Sequence, residues 1–494
     1  MKSDGFISRL YMIVVMALLL AAAVSASGMA GKVKETLDFG EKWQTDWKLR
    51  VSSCGRFLIH SDGRPFFYMG DTAWELFHRL DRRQADMYLS NRAAKGFNVI
   101  QAVALAEISG LDTPNACGHL PLKKTNGRWD PNSPDVKTGP ANDYWDHVDW
   151  IINKAAEKGL YIGLLPTWGD KWNLKSWGKG PVVFTPANAL NYGKWLGTRY
   201  RNQPNIIWIL GGDRNPEEGR HYEIVRQMAK GIRDGDGGKH LITYHPTPPK
   251  SSSSFFHQDR WLDFNMFQSG HGARDLPNYN ITTADYNLSP TKPVIDGEPC
   301  YEDHPVNWHR RGQTGWFNDF DVRQAGYWSV LSGACGHTYG NNNIWQMYRQ
   351  GRQGIGLART AWYEAMHHPG SYQMGYMKKL FLSRPFLKLR PDQFLIAGDT
   401  GSGGMHIRAA IGGDYAIVYL PYGQPVTVRT QNISGNRLTA WWFDPRTAMA
   451  VLIGEFENAP EREFDPPGQP ERGNDWVLVI DDAARCYPAP GLYR

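Results

Sequence analysis

Asn205-Ile206-Ile207-Trp208-Ile209-Leu210-Gly211-Gly212-Asp213 is an apolar, β-branched run that ends on two glycines and an acid. Lys292-Pro293-Val294-Ile295-Asp296-Gly297-Glu298 has a similar design, with Glu298 as its closing acid. Short runs of this kind, bounded by Gly and Pro and alternating along the chain with helical stretches, read as parallel strands of an α/β fold. If such strands close into a barrel, side chains at their C-terminal ends converge on one mouth, and two acids far apart in sequence face one bound molecule. Alone, each acid is more readily a helix cap or the partner of an arginine. The pair carries the chemical meaning.

Eight strands can be placed outward from these two runs. Phe66-Phe67-Tyr68-Met69-Gly70-Asp71-Thr72 is the first, after the turn Ser61-Asp62-Gly63-Arg64-Pro65. A helix over about 82–95 stops at Gly96 and leads into a second strand over 98–103. A long loop rich in Pro, Asn and Gly, then a helix over about 144–158, precede the third strand over 160–166. A helix over about 186–200 leads to the fourth strand, the run ending at Asp213. The fifth and sixth lie over 240–245 and 262–268, the run ending at Glu298 is the seventh, and 335–339 is the eighth. Eight strands with intervening helices give a (β/α)8 TIM barrel over 61–385. From about Phe386 the pattern becomes alternating segments such as 415–420, 438–443 and 476–480, separated by turns, which predicts a small antiparallel β-sandwich over 386–494. Residues 27–60 lead into the barrel and could add strands to that sandwich.

The first 26 residues read as a signal peptide: Lys2 and Arg9 precede an apolar run over 10–24, and Val24-Ser25-Ala26 offers a small-residue cleavage site. The run is short for a membrane span, so a mature chain that is secreted or periplasmic, with no membrane span, is expected. The chain has 494 residues, 41% of them hydrophobic, enough for one barrel and a smaller module. Its 55 basic residues against 49 acidic ones leave +6, too slight to argue for nucleic acid. Five cysteines without CxxC spacing, and no HExxH or His-x-His motif, point to neither a metal nor a cofactor. In an exported chain one or two disulfides can form, and the odd count leaves at least one thiol unpaired.

The strand-end loops hold the remaining candidates. Thr167-Trp168-Gly169-Asp170-Lys171-Trp172 follows the third strand, with Trp177 beyond it; Tyr301, His304, Trp308, Arg310 and Arg311 follow the seventh; Asn341-Asn342-Asn343-Ile344-Trp345 follows the eighth. Aromatic faces, amides and imidazoles at one mouth suit a polyhydroxylated ligand, because rings stack on sugar C–H faces while hydroxyls need both donors and acceptors. Asp71, Trp74, Trp168 and Asp170 are candidate substrate contacts, with His245, His271, His337 and Tyr339. Lys171, Lys175, Lys179, Arg310, Arg311, Arg349 and Arg352 fall in the same loops and are expected to ring the mouth, a layout suited to an acidic ligand.

The segments Gly70-Asp71-Thr72-Ala73-Trp74, Lys95-Gly96-Phe97-Asn98-Val99-Ile100 and the two acid-bearing runs resemble the apiosidase-like glycoside hydrolases. The tail resembles the collagen-binding-type domain that commonly follows them, although nothing in its residues argues for collagen. The resemblance implies a retaining glycosidase with Asp213 as acid/base and Glu298 as nucleophile, acting on a polysaccharide or oligosaccharide such as the pectin rhamnogalacturonan II. Gly212-Asp213 stands where the wider clan of barrel glycosidases has Asn-Glu, so the usual Asn contact to the sugar 2-hydroxyl is missing or comes from elsewhere. Two alternatives stay open. One is a glycosidase of other specificity, β-galactosidase, β-mannanase or arabinofuranosidase-like; the other is a non-catalytic glycan-binding surface protein.

Overall fold

The structure is a computed structural model and describes residues 47–139, 141–174 and 177–492. The expected signal peptide, most of the segment that follows it, and Lys175 lie outside the described residues. Among the described residues no helix is long and apolar enough to cross a membrane.

Eight parallel strands form the framework: β1 Tyr68–Thr72, β2 Val99–Val103, β3 Tyr161–Leu165, β4 Ile206–Leu210, β5 Ile242–Tyr244, β6 Asn265–Phe267, β7 Val294–Asp296 and β8 Gly336–Tyr339. Six of them pair in the order β5-β4-β3-β2-β1-β8, and β6 pairs with β7. The two pieces join at both edges. Cys335 N–H donates to the Val294 carbonyl at 3.0 Å, and Asp263 N–H donates to that of Ile242 at 2.9 Å. The Thr243 hydroxyl adds a bond to the Phe264 carbonyl at 2.7 Å. The result is the (β/α)8 barrel that the strand count predicts. The strands β8 and β1 approach closely at Gly336 (φ 150°), where a Cβ would stand 2.1 Å from the Tyr68 carbonyl oxygen.

Each strand is buried on both faces, as in a sheet sealed by its own interior and by outer helices. Ile207 and Ile209 pack in the barrel interior, whereas Ile206, Trp208 and Leu210 pack against the helices. Helix α1, Arg82–Ala94, is started by Asp81, which accepts from Gln84 N–H at 2.8 Å while the Gln84 side chain accepts from Asp81 N–H. Helix α2, Pro186–Tyr200, has the same box from Thr185 and Asn188. Caps of this kind fix where these two helices begin.

Among the described residues, those ahead of the barrel form a sheet of their own and do not join the C-terminal sheets. Leu49–Val51, Leu58–His60 and Pro65–Phe66 make their own antiparallel sheet. It sits at the N-terminal end of the barrel, where the Phe66 ring is 5.1 Å from that of Tyr161 and the Tyr161 hydroxyl donates to the Trp47 carbonyl. The long loop after β2 also contains more structure than expected, a hairpin of Leu122–Thr125 with Arg128–Pro134. Its turn is Asn126-Gly127, both with positive φ, the pair that two-residue hairpins favour.

The C-terminal part is the antiparallel β domain expected. A six-stranded sheet, whose central strands are Tyr415–Leu420 and Trp476–Asp482, and a three-stranded sheet of Ile396–Ala397, Val426–Val428 and Arg462–Phe464 enclose a core that includes Val418, Val428, Leu438 and Leu478. Two buried bidentate ion pairs fasten it to the barrel: Arg323 with Asp475 (3.0 and 2.7 Å) and Arg384 with Asp481 (both 2.7 Å). All five cysteines are free thiols, so the two modules hold together without a disulfide.

Candidate active site

Asp213 stands three residues past the end of β4, on a turn in which Gly211, Gly212 and Asp213 all have positive φ (95°, 77° and 56°). A Cβ on Gly211 would lie 2.3 Å from the His245 carbonyl oxygen and one on Gly212 2.9 Å from Gly169 N, so the two glycines are required by the closeness of the loops after β5 and β3. Asp213 itself bears the conformational strain, of a kind that collects at functional sites. Arg214 secures the turn from behind: it is buried and donates to the carbonyls of Asp213 (2.7 Å), Asn173 (2.9 Å) and Trp177.

Glu298 lies two residues past β7, and its peptide is gripped on both sides. Gly270 N–H donates to the Glu298 carbonyl at 3.0 Å, and Gln101, pointing into the barrel from β2, donates to the Gly297 carbonyl at 2.9 Å. Two imidazoles meet its carboxylate. His271 Nε2 bonds Oε1 at 3.2 Å, and His245 Nε2 lies 3.1 Å from Oε2. The Asp213 N–H donates to His245 Nδ1 at 3.2 Å, which assigns the proton of a neutral His245 ring to Nε2, facing Glu298. One imidazole therefore bridges the backbone of one acid and the carboxylate of the other.

These surroundings push the two acids apart. Burial alone would raise Glu298, but the close imidazoles of His245 and His271 outweigh it and hold the carboxyl down to about 2. Burial also raises Asp213, and here the neighbouring Glu298 charge adds to it, so the Asp213 carboxyl goes well above its ordinary range even though Arg214 opposes the shift. One carboxyl is thus lowered and its neighbour raised, the separation that acid-assisted nucleophilic displacement at a glycosidic carbon requires. Trp74 and Trp168 wall the space beside His245, with ring centroids 5.4 and 6.3 Å from the imidazole. Trp74 Nε1 donates to the Tyr301 hydroxyl at 3.0 Å, whereas Trp168 Nε1 and Asp213 Oδ1 are buried without a partner and available to a ligand.

Residues 52–388 match the family model described as "Apiosidase-like, catalytic domain". Residues 390–481 match one described as "Putative collagen-binding domain of a collagenase". The chain belongs to the apiosidase-like glycoside hydrolases. A solved structure titled "Glycoside hydrolase" is 36% identical with a TM-score of 0.81 over 90% of this chain and 98% of that one. A glycoside hydrolase family 5 protein from Bacteroides vulgatus ATCC 8482 is 37% identical with a TM-score of 0.82, over 90% and 95%. No curated protein matches.

In this glycoside hydrolase, six of the ten residues singled out from sequence come together: Asp213, Glu298, His245, His271, Trp74 and Trp168. The other four do not. Asp71, His337 and Tyr339 lie on strands β1 and β8 but face outward, toward the helices. Asp71 is fully buried, accepting from Tyr88 Oη at 2.6 Å and Arg92 Nε at 2.5 Å. His337 is buried in the layer of Gly326 and Met377, and Tyr339 donates to Glu302 at 2.6 Å. Asp170 is also buried, paired with Lys171 Nζ at 2.7 Å and accepting from Gly180 N–H at 2.8 Å, so it holds the loop that carries Trp177. The tryptophans are mostly core: Trp74, Trp168, Trp172 and Trp345 are 2 to 7% exposed, and among the described residues only Trp177 (42%) and Trp308 (40%) offer open indole faces.

Sequence reasoning passed over Gln101 and Arg214, and it named Tyr301 only among the loop aromatics. Gln101 had a usable signal, a lone amide at an inward position of an apolar strand; Arg214 and Tyr301 had only their nearness to the two acids. The outward position of Asp71 makes a clear expectation. Asp71→Ala strands Arg92 in an apolar layer and should cost roughly 3–5 kcal/mol of stability, as for a broken buried ion pair. Urea unfolding followed by circular dichroism measures this, and an unchanged midpoint with lost activity would return Asp71 to the substrate contacts.

Proposed function

We propose that the chain is an exported retaining glycosidase that acts on a pectic plant cell-wall glycan, with Glu298 as nucleophile and Asp213 as acid/base. The observation that carries the reading is the pair of strand-end acids in opposed surroundings, Glu298 met by two imidazoles that lower its carboxyl and Asp213 buried beside the Glu298 charge, which raises its own. In the first half-reaction a Glu298 oxygen attacks the anomeric carbon as Asp213 gives its proton to the departing glycosidic oxygen, leaving a glycosyl ester on Glu298. In the second, Asp213, now a carboxylate, takes a proton from water, which attacks the same carbon and frees Glu298.

Support for an acidic substrate comes from exposed cations on the strand-end loops: Lys179, Arg310, Arg311 and Arg349 are exposed, and Arg352 is half-buried. Lys171 does not belong with them, since it is buried on Asp170. Export rests on the apolar run over 10–24 and the small residues at 24–26. Mass spectrometry of the mature protein from the producing cell should find a new N-terminus near Ser27; an intact Met1 counts against export.

Glu298→Ala should abolish turnover of every substrate. Asp213→Ala should lower kcat/KM on the natural glycan by about 10²–10⁴ while largely sparing aryl glycosides, whose leaving groups need no proton. The pH profile has a defined sign. Lowering the pH leaves Glu298 ionised until near its depressed pKa, whereas raising the pH through the elevated pKa of Asp213 removes the acid, so kcat/KM on glycan should fall on the alkaline side. That limb should be absent for aryl glycosides in Asp213→Ala; its persistence there excludes Asp213 as the acid.

Added salt checks the substrate's charge. Screening acts over roughly 8–10 Å at moderate ionic strength. The KM for a uronate-bearing oligosaccharide should climb with salt while that for a neutral aryl glycoside stays flat. Equal responses, or cleavage of neutral glycans only, would remove the pectic assignment and leave the glycosidase in place.

A further inference from the structure

The loop after β2 carries Glu107, an acid that the mechanism above does not use. Two backbone bonds place it near Asp213. Trp168 N–H donates to the Leu105 carbonyl at 3.1 Å, and Gly169 N–H donates to the Gly212 carbonyl at 2.8 Å. Trp168-Gly169 is thus stitched between the loop of Glu107 on one side and the Gly-Gly-Asp turn on the other, so tightly that a Cβ on Gly212 would lie 2.9 Å from the Trp168 Cα. The next peptide is anchored too, since Ile108 N–H donates to Glu75 Oε1 at 3.0 Å.

Each neighbouring acid in this corner is occupied. Glu75 pairs with His78 at 2.7 Å, and Asp170 pairs with Lys171. The half-buried Glu107 carboxyl accepts no hydrogen bond from the described residues. On the segments stitched to this loop, Trp168 Nε1 and Asp213 Oδ1 also lack a partner among the described residues and are more than nine-tenths buried. A carboxyl, an indole N–H and a carboxyl oxygen on adjoining loops suit sugar hydroxyls, each of which donates once and accepts twice.

We infer that Glu107 is a substrate-binding residue of the leaving-group side, hydrogen-bonding a hydroxyl of the sugar unit whose glycosidic oxygen Asp213 protonates. This rests on the proposed role of Asp213, because the proton donor must sit beside the departing unit. The electrostatics agree. Burial, with the charges of Asp170 and Glu75, pushes Glu107 up to about 8 against the opposing Arg214 and Lys171. The Glu107 charge also acts to raise Asp213. A protonated Glu107 donates as well as accepts, and it does not repel a uronate as a carboxylate would.

Glu107→Ala and Glu107→Gln, with folding verified by circular dichroism, are to be compared with the unaltered enzyme on a 4-nitrophenyl glycoside and on an oligosaccharide ending in the same glycosyl unit. Glu107→Ala should lower kcat/KM for the oligosaccharide on the order of tenfold, chiefly through KM, and change that for the aryl glycoside by less than roughly twofold. Glu107→Gln, which keeps a donor and an acceptor, should recover most of the loss. Equal losses on both substrates, a shift of the alkaline limb with no change in KM, or no effect at all overturns the inference. Asp213→Ala and Glu298→Ala on the oligosaccharide separate the two levels: if either still turns it over at the unaltered rate the catalytic reading falls and this one with it, whereas if both lose that turnover and Glu107→Ala is unaffected only this one falls.

Discussion

Closure of the eight-stranded barrel is the constraint on which everything else depends. The hydrogen bonds from Cys335 to Val294 and from Asp263 to Ile242 turn two open sheets into one ring. A ring of parallel strands has a single C-terminal rim, so loops from β2, β3, β4, β5, β6 and β7 must share one small volume. Without closure, Asp213 and Glu298 are acids on separate loops. With it, the loops are close enough to be laced to one another through main-chain bonds, as at Leu105–Trp168 and Gly169–Gly212.

That lacing lets one site shift two carboxyls in opposite directions. Like charges in a dry pocket resist joint ionisation, and the surroundings decide which one keeps its charge more readily. Two imidazoles meet Glu298 and lower its carboxyl; Asp213 has mainly burial and a carboxylate neighbour, which raise it. His245 ties the decision to geometry, since one ring contacts the Asp213 backbone and the Glu298 side chain together. The strained Gly-Gly-Asp turn is stable because Arg214 and the neighbouring loops over-determine it.

The β domain contributes rigidity through its contacts with the barrel helices. Arg323 and Arg384 reach Asp475 and Asp481 across the seam in bidentate geometry, and Asp475 also accepts from the Tyr419 hydroxyl. Arg472 of the β domain bonds Asp275, four residues past His271. The loop that supplies one imidazole to Glu298 is thereby anchored in the second module.

The sequence by itself determined the eight strands, the helices between them, the change to antiparallel texture after the barrel, and the two acids at strand ends. These are local signals: strand-length apolar runs, glycine stops, and acids just beyond them. Only the tertiary structure decided which way the side chains within those strands face. Asp71, His337 and Tyr339 were read as mouth residues and point to the helices, while Gln101 points inward and supports Glu298. In a half-exposed strand, polar and apolar alternation reveals the face, because one side meets water. Here both faces are buried, one against the barrel interior and one against the helices, and a shift of one residue exchanges them without altering the pattern. The tryptophans follow the same logic, since composition counts indoles but only packing decides that Trp177 and Trp308 stay open while Trp74 and Trp168 become walls.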